Sequence, residues 1–427
     1  MPTPKGLARV VRQVPDDGMK KLSIGIAGAG MGGLAAAALL ARAGHAVTIA
    51  ERFVQVGPVG SGLVLQPVGL AVLDEIGAGV AARAYAAPIA RMLGHAGGRA
   101  VLDVGYARQA PGLAMHRAAL FAVLWQAARQ SGAQVVTGAS VTAAPQDGAH
   151  RWLLRQGAAA LGPFDLVIDA SGAGSVLSPL RARALPFGAI WGHVPWPAVT
   201  AFSQTHLIQR YSGAHRMAGV LPIGCLPEDP TPRAAVFWSM PRAELDQWAS
   251  RDLGDWKAEA ADFWPEMAVF TDQVTEMTPA RYSHGTLRRP WLPGLAFIGD
   301  AAHRASPQLG QGANMALLDA MALTVALREG LDGAPQRYAR MRRWHVRSYQ
   351  VMSAVFTPMY QSHSRLLPRL RDHLMAPAGQ LRPAQAVLQR LVSGTLIPPL
   401  ASQVWPGQNA GQTPLPQLTL PHTTLPE

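Results

Sequence analysis

The stretch FIGDAAHRASPQLGQGAN, residues 297–314, places one acid and two glycines between an apolar run and a helical pattern. Asp300 is poorly suited to phosphate, because like charges repel, and is better suited to hydroxyl groups such as those of a ribityl chain. Gly310 and Gly312 lack a Cβ, so their backbone N–H groups can approach a flat ring that carries carbonyl oxygens. Asn314, in the first helical turn, can add a side-chain contact. The stretch predicts a site for one end of a large polar cofactor.

A second glycine pattern, GAGMGG, follows an apolar run at residues 22–27. Gly28 permits a tight turn, Gly30 lets the backbone approach a pyrophosphate, and Gly33 lets helix and strand pack closely. The N-terminus of the helix presents free amides to the phosphates. Glu51 ends the next apolar run, where a carboxylate can accept hydrogen bonds from ribose hydroxyls. This strand–helix–strand unit predicts nucleotide binding, and the two patterns together would hold the two ends of one long cofactor.

Parallel strands must position both patterns, because phosphate-binding turns of this kind follow buried parallel strands. The interval from about 181 to 284 differs: its short, aromatic-rich, turn-punctuated segments are typical of a mostly antiparallel sheet. A short apolar run typical of a buried parallel strand then follows in GLAFIGD. The sequence therefore predicts an α/β protein in which an inserted sheet domain splits a nucleotide-binding domain.

Composition excludes several classes of protein. The chain has 427 residues, of which 49% are hydrophobic and 15% charged, as expected for a globular protein of two or three structural units. The formal charge of +12 is scattered, and only four of the 38 basic residues are lysine. No basic stripe with interleaved aromatic residues indicates nucleic-acid binding. The charge favours anionic cofactors and acidic substrates instead.

Cysteine content and apolar runs bear on compartment and metal chemistry. Cys225 is the only cysteine, which excludes a disulfide framework and a cysteine-built metal site, and we predict no metal. No apolar run reaches the roughly 20 residues that cross a bilayer. The N-terminal segment lacks the apolar core of a secretory signal. We expect a cytoplasmic protein, while amphipathic C-terminal helices are compatible with weak peripheral membrane contact.

The chain resembles the FAD-dependent monooxygenases of the aromatic-hydroxylase and ubiquinone-hydroxylase type, over roughly residues 21–340. The motifs that carry the resemblance are GAGMGG, the ER at Glu51 and Arg52, GSGLVLQPVGLAVLDEIG, MHRAAL, and above all GDAAHRASPQLGQGANMALLDA. The last motif is highly specific.

The resemblance implies particular roles for residues along the cofactor. Glu51 would bind the adenosine ribose, and Arg52 and Arg117 would lie along the cofactor. Asp300 would hold the ribityl or pyrophosphate region, with Gly310, Gly312 and Asn314 beside the pyrimidine edge of the flavin. Pro307 would lie beside the reacting face of the flavin.

The resemblance also implies the reaction. NADPH or NADH would reduce FAD, oxygen would add at the flavin C4a, and the hydroperoxide would hydroxylate a small aromatic or electron-rich substrate. The implied partners are therefore the substrate and O2, in a monomer or a homodimer. The implied fold is a glutathione-reductase-like, Rossmann-type FAD-binding domain with an inserted mixed or antiparallel-sheet substrate domain and a helical C-terminal region.

The predicted domains follow from this fold. They are a flexible leader (1–20), a first segment of the FAD-binding domain (21–180, with a substrate-side insertion near 85–112), a substrate-binding sheet domain (181–284), a second segment of the FAD-binding domain (285–335), C-terminal helices (336–400) and a flexible tail (401–427).

One departure from the family concerns the turn after the third apolar strand. Family members have Asp-Gly there, with an arginine some six residues on, whereas this chain has Ser171-Gly172 and then Ser178. Arg181 follows three residues later. The departure leaves open how the pyridine nucleotide is engaged, and we expect it to leave FAD binding intact.

Substrate residues are expected in the inserted sheet. The candidates are His193, Gln209, Tyr211 and Trp238. About half of all strand side chains face the wrong way, because successive positions alternate between the two faces. Trp256 and Trp264 are predicted to belong to the core instead.

Three other functions remain open at this point. An FAD-dependent dehydrogenase or reductase would use the same pocket without oxygen insertion. A flavin-dependent halogenase would need a lysine, and the chain has none between Lys21 and Lys257. A non-catalytic flavin sensor would keep the fold alone.

Overall fold

The computed structural model describes residues 20–55 and 62–400. The predicted tail, and all of the predicted leader except its last residue, lie outside these ranges.

The strands were numbered along the chain. They are β1 (Ser23–Ala27), β2 (Ala46–Ala50), β3 (Gly62–Leu65), β4 (Ala87–Ile89), β5 (Arg91–Ala96), β6 (Arg99–Gly105), β7 (Gly112–His116), β8 (Gln134–Val136), β9 (Val141–Ala143), β10 (Gln146–Asp147), β11 (His150–Arg155), β12 (Ala158–Phe164), β13 (Leu166–Asp169), β14 (Arg183–Pro195), β15 (His206–Ser212), β16 (Arg216–Pro222), β17 (Arg233–Pro241), β18 (Thr278–Thr286), β19 (Trp291–Leu292), β20 (Leu295–Phe297) and β21 (His303–Arg304).

The helices were numbered in the same way. They are α1 (Met31–Arg42), α2 (Pro67–Ile76), α3 (Gly79–Tyr85), α4 (Arg117–Gln130), α5 (Arg242–Asp246), α6 (Leu253–Phe263), α7 (Ala268–Thr271), α8 (Gly312–Leu327), α9 (Ala334–Tyr360), α10 (Leu366–Leu370), α11 (Ala376–Gly379) and α12 (Arg382–Ser393). No helix in the described ranges is long and apolar enough to cross a bilayer.

A six-stranded sheet carries the nucleotide-binding pattern, in the order β19-β20-β13-β1-β2-β8. All its neighbours are parallel except β19 and β20. Helix α1 is alanine-rich, and nine of its residues are buried, so it packs closely on the sheet and against α4 and α8. The carboxyl ends of β1, β2 and β13 therefore meet at one edge, where a dinucleotide is expected to bind.

An eight-stranded sheet, β21-β18-β14-β17-β16-β15-β5-β6, forms the second layer. Its neighbours are antiparallel except β15 and β5. Strands β5 and β6 come from residues 91–105, within the segment predicted as an insertion near 85–112. The chain thus builds this sheet from several separate stretches of sequence.

The two faces of the eight-stranded sheet pack against different partners. One face buries Trp238 and Met240 against helices α5–α7, where Trp256 and Trp264 are 0% and 6% exposed. Both tryptophans were predicted as core residues, and burial confirms this. The other face carries Phe237 and Tyr211 towards β3, β7 and the C-terminal helices. Only this second face can contribute side chains to a site shared with the six-stranded sheet.

Candidate active site

A cavity of about 120 Å³ opens where β1, β2 and β13 end. Its lining includes Gly28, Glu51, Arg52 and Ser171. The structure thus brings together the first glycine of the GAGMGG motif, the acid predicted to bind ribose and the neighbouring arginine. Its position at the carboxyl ends of these strands fits the adenosine end of a dinucleotide.

Three of the four glycines of the motif, Gly28, Gly30 and Gly33, are glycine for different structural reasons. Gly28 has a φ of +99°, and a Cβ there would lie 2.8 Å from the carbonyl oxygen of Ala170. A Cβ on Gly33 would lie 2.1 Å from the carbonyl oxygen of Gly28. A Cβ on Gly30 would meet only the Ala170 oxygen, at 3.8 Å. The packing of the protein itself therefore requires glycine at 28 and 33, whereas at 30 the space fits the close approach of a ligand.

Glu51 is buried and fixes the glycine turn to the end of β2. One carboxylate oxygen accepts from the backbone N–H of Ala29 at 2.7 Å, and the other accepts from that of Phe53 at 3.0 Å. A carboxylate oxygen has capacity for a second hydrogen bond, so these contacts still allow Glu51 to accept from ribose hydroxyls.

Ser171 belongs to a local network around Asp169 rather than standing alone. Its hydroxyl and its backbone N–H both donate to one oxygen of Asp169, at 2.5 and 3.0 Å, and the Ser175 hydroxyl donates to the other at 2.5 Å. Asp169 is fully buried, and burial raises its pKa while the serine hydrogen bonds oppose the rise. The turn therefore has its carboxylate at Asp169, two residues before Ser171, where members of the family have an acid.

The second half-site lies around Asp300, directly after β20. The carboxylate of Asp300 retains solvent-accessible surface, but protein atoms lie close around it. These atoms reduce its contact with water, and the desolvation raises its pKa. The positive charges of His303, Arg117 and Arg304 oppose the rise. Arg117 begins α4 and is exposed. The charge of Arg117 lowers the pKa of Asp300, so both predicted residues lie in the same region of the site. They are 183 residues apart in sequence.

The loop before α8 exposes its backbone. Pro307 begins a short 3₁₀ turn over Pro307–Leu309 and is exposed, and the hydroxyl of Ser306 caps the turn by accepting from the N–H of Gln308. Gly310 has a φ of +61°, and a Cβ on Gly312 would contact nothing within 4 Å. As at Gly30, the packing of the protein does not require glycine at 312. Glycine there fits a flat ring approaching the N-terminus of α8.

Asn314, predicted to add a side-chain contact to the cofactor, forms hydrogen bonds within the protein. It is 0% exposed, and its side-chain oxygen accepts from the N–H of Gln66 at 2.8 Å. Its side-chain nitrogen donates to the carbonyls of Val64 and Gly310, each at 3.0 Å. Asn314 therefore holds the glycine loop against β3, and direct contact with the cofactor stays a prediction.

Gln66 was not among the predicted site residues. Its side chain is fully buried, and its oxygen accepts from the hydroxyl of Tyr106 at 2.7 Å. Its amide nitrogen is buried beside Gly310 and has no hydrogen-bond partner in the part of the chain that the structure describes. A buried donor without a partner is costly, so this nitrogen fits a carbonyl oxygen of a bound ring. The only signal in the sequence was the position of this glutamine between a strand and a helix-starting proline.

A buried ionic network supports the turn that presents Asp300. Asp319 accepts from the N–H of Gly299 at 2.9 Å, lies 2.6 Å from Nε2 of His303, and accepts from Nε of Arg342 at 2.7 Å. Burial alone would raise the pKa of Asp319, but the charges and hydrogen bonds of His303 and Arg342 lower it to about 2. The side chain of His303 therefore has a structural role in this network.

The second face of the eight-stranded sheet presents aromatic side chains near this half-site. The rings of Trp191 and Phe237 lie 4.6 Å apart, and the indole N–H of Trp191 donates to the hydroxyl of Tyr282 at 2.9 Å. Burial raises the pKa of Tyr282 to about 12, opposed by the Trp191 hydrogen bond and by the charge of Arg117. Arg117 therefore acts on both Tyr282 and Asp300, and the sheet face meets the second half-site there.

His193 lies on the same face and is exposed. Its ring makes an edge contact with that of His116, at 4.5 Å between centroids. Desolvation, together with the charge of Arg233, lowers the pKa of His193. The histidine is accessible and neutral, as a hydrogen-bonding contact to a substrate would require.

Gln209 and Tyr211 also face this side but are buried. The Tyr211 hydroxyl donates to the side-chain oxygen of Gln209, and its ring packs against Tyr360 and the guanidinium of Arg371. The C-terminal helices therefore cover the pair.

Trp238 requires a correction. It was predicted as a substrate candidate, but it is 0% exposed and packs against Phe263 and Trp256 on the opposite face. The reason is strand alternation: Phe237 faces the site, so Trp238 faces away.

The fold and the site define a flavoprotein. The parallel sheet, the adenosine cavity and the second glycine-lined helix N-terminus fit the two ends of FAD, and the buried Gln66 nitrogen fits its ring. Residues 21–342 match the family described as FAD binding domain, and the chain belongs to that family.

Known proteins extend the similarity over most of the chain. A 2-heptyl-3-hydroxy-4(1H)-quinolone synthase of Mycobacteroides abscessus is 29% identical over 72% of this chain and 82% of its own. An aurachin C monooxygenase/isomerase of Stigmatella aurantiaca is 28% identical over 75% and 85%. HpxO of Klebsiella pneumoniae, solved with FAD and uric acid, superposes with a TM-score of 0.72 at 19% identity over 88% and 98%.

The class follows from these findings. The protein is an FAD-dependent monooxygenase of the aromatic-hydroxylase type, with NAD(P)H as its reductant. The similarities support this activity over the dehydrogenase or reductase alternative.

Proposed function

We propose that the protein hydroxylates a flat, electron-rich aromatic ring of the quinolone type. The substrate class is supported by the named quinolone synthase, at 29% identity. The observation that carries the proposal is the pairing of β18, which carries Tyr282, with β21 (His303–Arg304), which begins three residues after Asp300. The Trp191 and Tyr282 side chains are hydrogen-bonded on this sheet face. A ring held by that face would lie next to the cofactor.

The chain's own residues would hold FAD at both ends. Glu51 and Arg52 would bind the adenosine portion, Gly28, Gly30 and Gly33 would admit the pyrophosphate, and Asp300 would accept from the ribityl hydroxyls. When bound, FAD supplies the transfer of electrons from NAD(P)H and the activation of O2. Arg117 would offset the negative charge of the cofactor, and Pro307 would border the ring.

The sheet face would position the substrate. Trp191, which is half-buried, offers a flat apolar surface for stacking, and the buried ring of Phe237 packs against it. Tyr282 is protonated at neutral pH because its pKa is raised to about 12. Its oxygen accepts from Trp191, so its own hydrogen remains for a carbonyl or phenolate oxygen on the substrate. His193, on the same strand as Trp191, would border the substrate. The buried Gln209–Tyr211 pair, three strands away on β15, would support that face beneath the C-terminal helices.

The proposal also covers the partners of the protein, its location and its contact with membranes. The small-molecule substrate and O2 are the partners, in a monomer or homodimer. The single cysteine supports a cytoplasmic location. Exposed leucines on α10 and next to α12, at Leu366 and Leu381, support weak contact with a membrane surface.

The test is a screen of the purified, FAD-loaded protein against 4-quinolones and hydroxybenzoates under isotopically labelled O2. A substrate should accelerate NADPH oxidation and leave with one labelled oxygen atom. NADPH oxidation that yields a product without the label would instead indicate a reductase. Tyr282→Phe should raise the substrate KM without changing FAD affinity. Tyr85→Phe, a half-buried tyrosine outside this face, is the matched control.

A further inference from the structure

A second cavity, of about 490 Å³, lies between the end of β18, β19 and helix α9. Its lining is separate from the residues placed at FAD, and two of its members, His303 and Arg342, belong to the Asp319 network. Its volume lies within the range of small-molecule sites, roughly 300–1,000 Å³. This size admits a nucleotide.

Positive charge dominates the lining. Arg288, Arg340, Arg343 and Arg347 all border the cavity, and none of them forms an ion pair with a carboxylate within residues 20–55 and 62–400. Four guanidinium groups without counter-charges repel one another and attract anions. Arginine's planar fork also matches the oxygens of phosphate. The cavity is therefore built for a ligand with more than one negative charge.

Two buried oxygens of residues that line the cavity have no hydrogen-bond partner among residues 20–55 and 62–400. They are the hydroxyl oxygen of Thr286 and the side-chain oxygen of Gln336. Buried polar atoms are paired in most native proteins, so each orphan calls for a ligand atom. The threonine hydroxyl can donate to a phosphate oxygen, whereas the glutamine oxygen must accept, from an amino or hydroxyl group. Phosphate alone would satisfy only one of them.

The cavity also has a flat wall. Trp291 and Val346 line it, and both are half-buried. An indole favours stacking with another ring. We propose that this cavity binds a nucleotide: phosphates on the arginines, an amino or ribose group on Gln336, and a base against Trp291. The proposal does not depend on the identity of the aromatic substrate.

The nucleotide could be the reductant or a separate nucleotide, and both share this chemistry. The cavity reaches His303 and Arg342, which both contact Asp319, and Asp319 accepts from the N–H of Gly299 next to Asp300. A nucleotide bound in this cavity would therefore contact residues that are linked through Asp319 to the turn carrying Asp300. The experiment must separate the two sources.

The test is calorimetric titration of the FAD-loaded protein with ADP, inorganic pyrophosphate and NADPH. Bound FAD keeps ADP out of the adenosine cavity, and its absorbance reports any displacement. We expect saturable ADP binding with one site per chain and weaker binding of pyrophosphate. Arg343→Gln and Arg288→Gln should each weaken ADP about tenfold, as expected for loss of a charge-assisted hydrogen bond.

Arg328→Gln is the matched control, because Arg328 is an exposed arginine outside the cavity with no ion pair in the described ranges. It should leave binding unchanged. If NADPH competes with ADP, and Arg343→Gln raises the KM for NADPH by the same factor, the ligand is the reductant. If NADPH does not compete, it is a separate nucleotide. No saturable ADP binding at millimolar concentration, or equal binding by Arg343→Gln and Arg328→Gln, would overturn the proposal.

Discussion

The side-chain oxygen of Asn314 accepts a hydrogen bond from the backbone N–H of Gln66 at 2.8 Å, across 248 residues of sequence. Gln66 immediately precedes α2, and Asn314 lies in the first turn of α8. Gly69, one turn into α2, allows this approach, because a Cβ there would lie 2.2 Å from the same oxygen. Two distant segments thus form one wall of the flavin site.

Asn314→Ala should destabilise the protein and weaken FAD binding. The change leaves the N–H of Gln66 and the carbonyls of Val64 and Gly310 without their partner, at a cost of about 1–3 kcal/mol. Urea unfolding of the FAD-free protein measures the first effect, and FAD titration measures the second. Gln273→Ala, which removes an exposed amide bonded to the carbonyl of Val269, should change neither. Wild-type stability in Asn314→Ala would contradict the positioning role.

Asp300→Asn should separate FAD affinity from stability. In the described residues the Asp300 side chain has no hydrogen-bond partner, so the FAD-free protein should unfold as the wild type does. The FAD Kd should rise about tenfold or more, because a charged acceptor for the ribityl hydroxyls is lost, worth about 1.5–3 kcal/mol. Asp332→Asn, at an exposed acid elsewhere, is the control. An unchanged Kd would show that the carboxylate has another task.

The sequence predicted the turns well because their physics is local. Gly28 and Gly33 are required by contacts within one strand–helix unit, which a short motif encodes. The inserted sheet was also recognisable from its composition. The face of a strand depends on register with neighbours, however, and Trp238 was therefore assigned to the site although it faces the core. Gln66 escaped notice because the atom that distinguishes it, an unpartnered amide, is defined only by the fold.

A matched pair of tryptophan substitutions tests the assignment of the two sheet faces. Trp238→Phe should lower the free energy of unfolding by about 1–2 kcal/mol, since it shrinks a fully buried ring, and should leave the substrate KM unchanged. Trp191→Phe removes the hydrogen bond to Tyr282 and should raise the KM with a smaller loss of stability. Unfolding curves and steady-state kinetics of both variants measure the changes in stability and in KM. A larger KM effect for Trp238→Phe would reverse the assignment.

His345 should make stability depend on pH. It accepts at Nδ1 from Arg342 and donates from Nε2 to the carbonyl of Gly394, each at 3.1 Å, which defines a neutral imidazole. Burial, followed by the charge of Arg342, lowers its pKa to about 3. The unfolded chain, with a histidine pKa of about 6.5, therefore binds more protons below that pH, and stability falls as the pH drops.

The expected contribution of His345 is a loss of about 1 kcal/mol per pH unit between about pH 6 and 5. His345→Gln can keep both hydrogen bonds without titrating, so the slope should decrease. Urea unfolding of the FAD-free protein across this range measures it. His215→Gln, at an exposed histidine, should leave the slope as in the wild type. The same slope in His345→Gln would place the titrating group elsewhere.

Ser171→Asp tests how the turn after β13 replaces the family acid. If the family role of the acid applied at position 171, restoring an acid there would speed flavin reduction. The structure predicts the opposite result, because the new carboxylate would replace a donor to the buried Asp169 and lie within hydrogen-bond distance of it. Repulsion between the two acids should destabilise the turn and, since Ser171 lines the adenosine cavity, weaken FAD binding.

The double variant Asp169→Asn/Ser171→Asp provides the decisive comparison. It returns the turn to a single carboxylate and gives that carboxylate an amide donor, so much of the lost stability and FAD affinity should recover. Ser171→Ala, which removes one hydrogen bond without adding charge, should show a smaller loss than Ser171→Asp. With Asp169→Asn as the second single variant, unfolding and FAD titration on the wild type, both single variants and the double variant measure the coupling between the two positions. If Ser171→Asp binds FAD like the wild type and accelerates anaerobic reduction, repulsion from Asp169 does not govern this turn, and the role of the family acid applies at 171 after all.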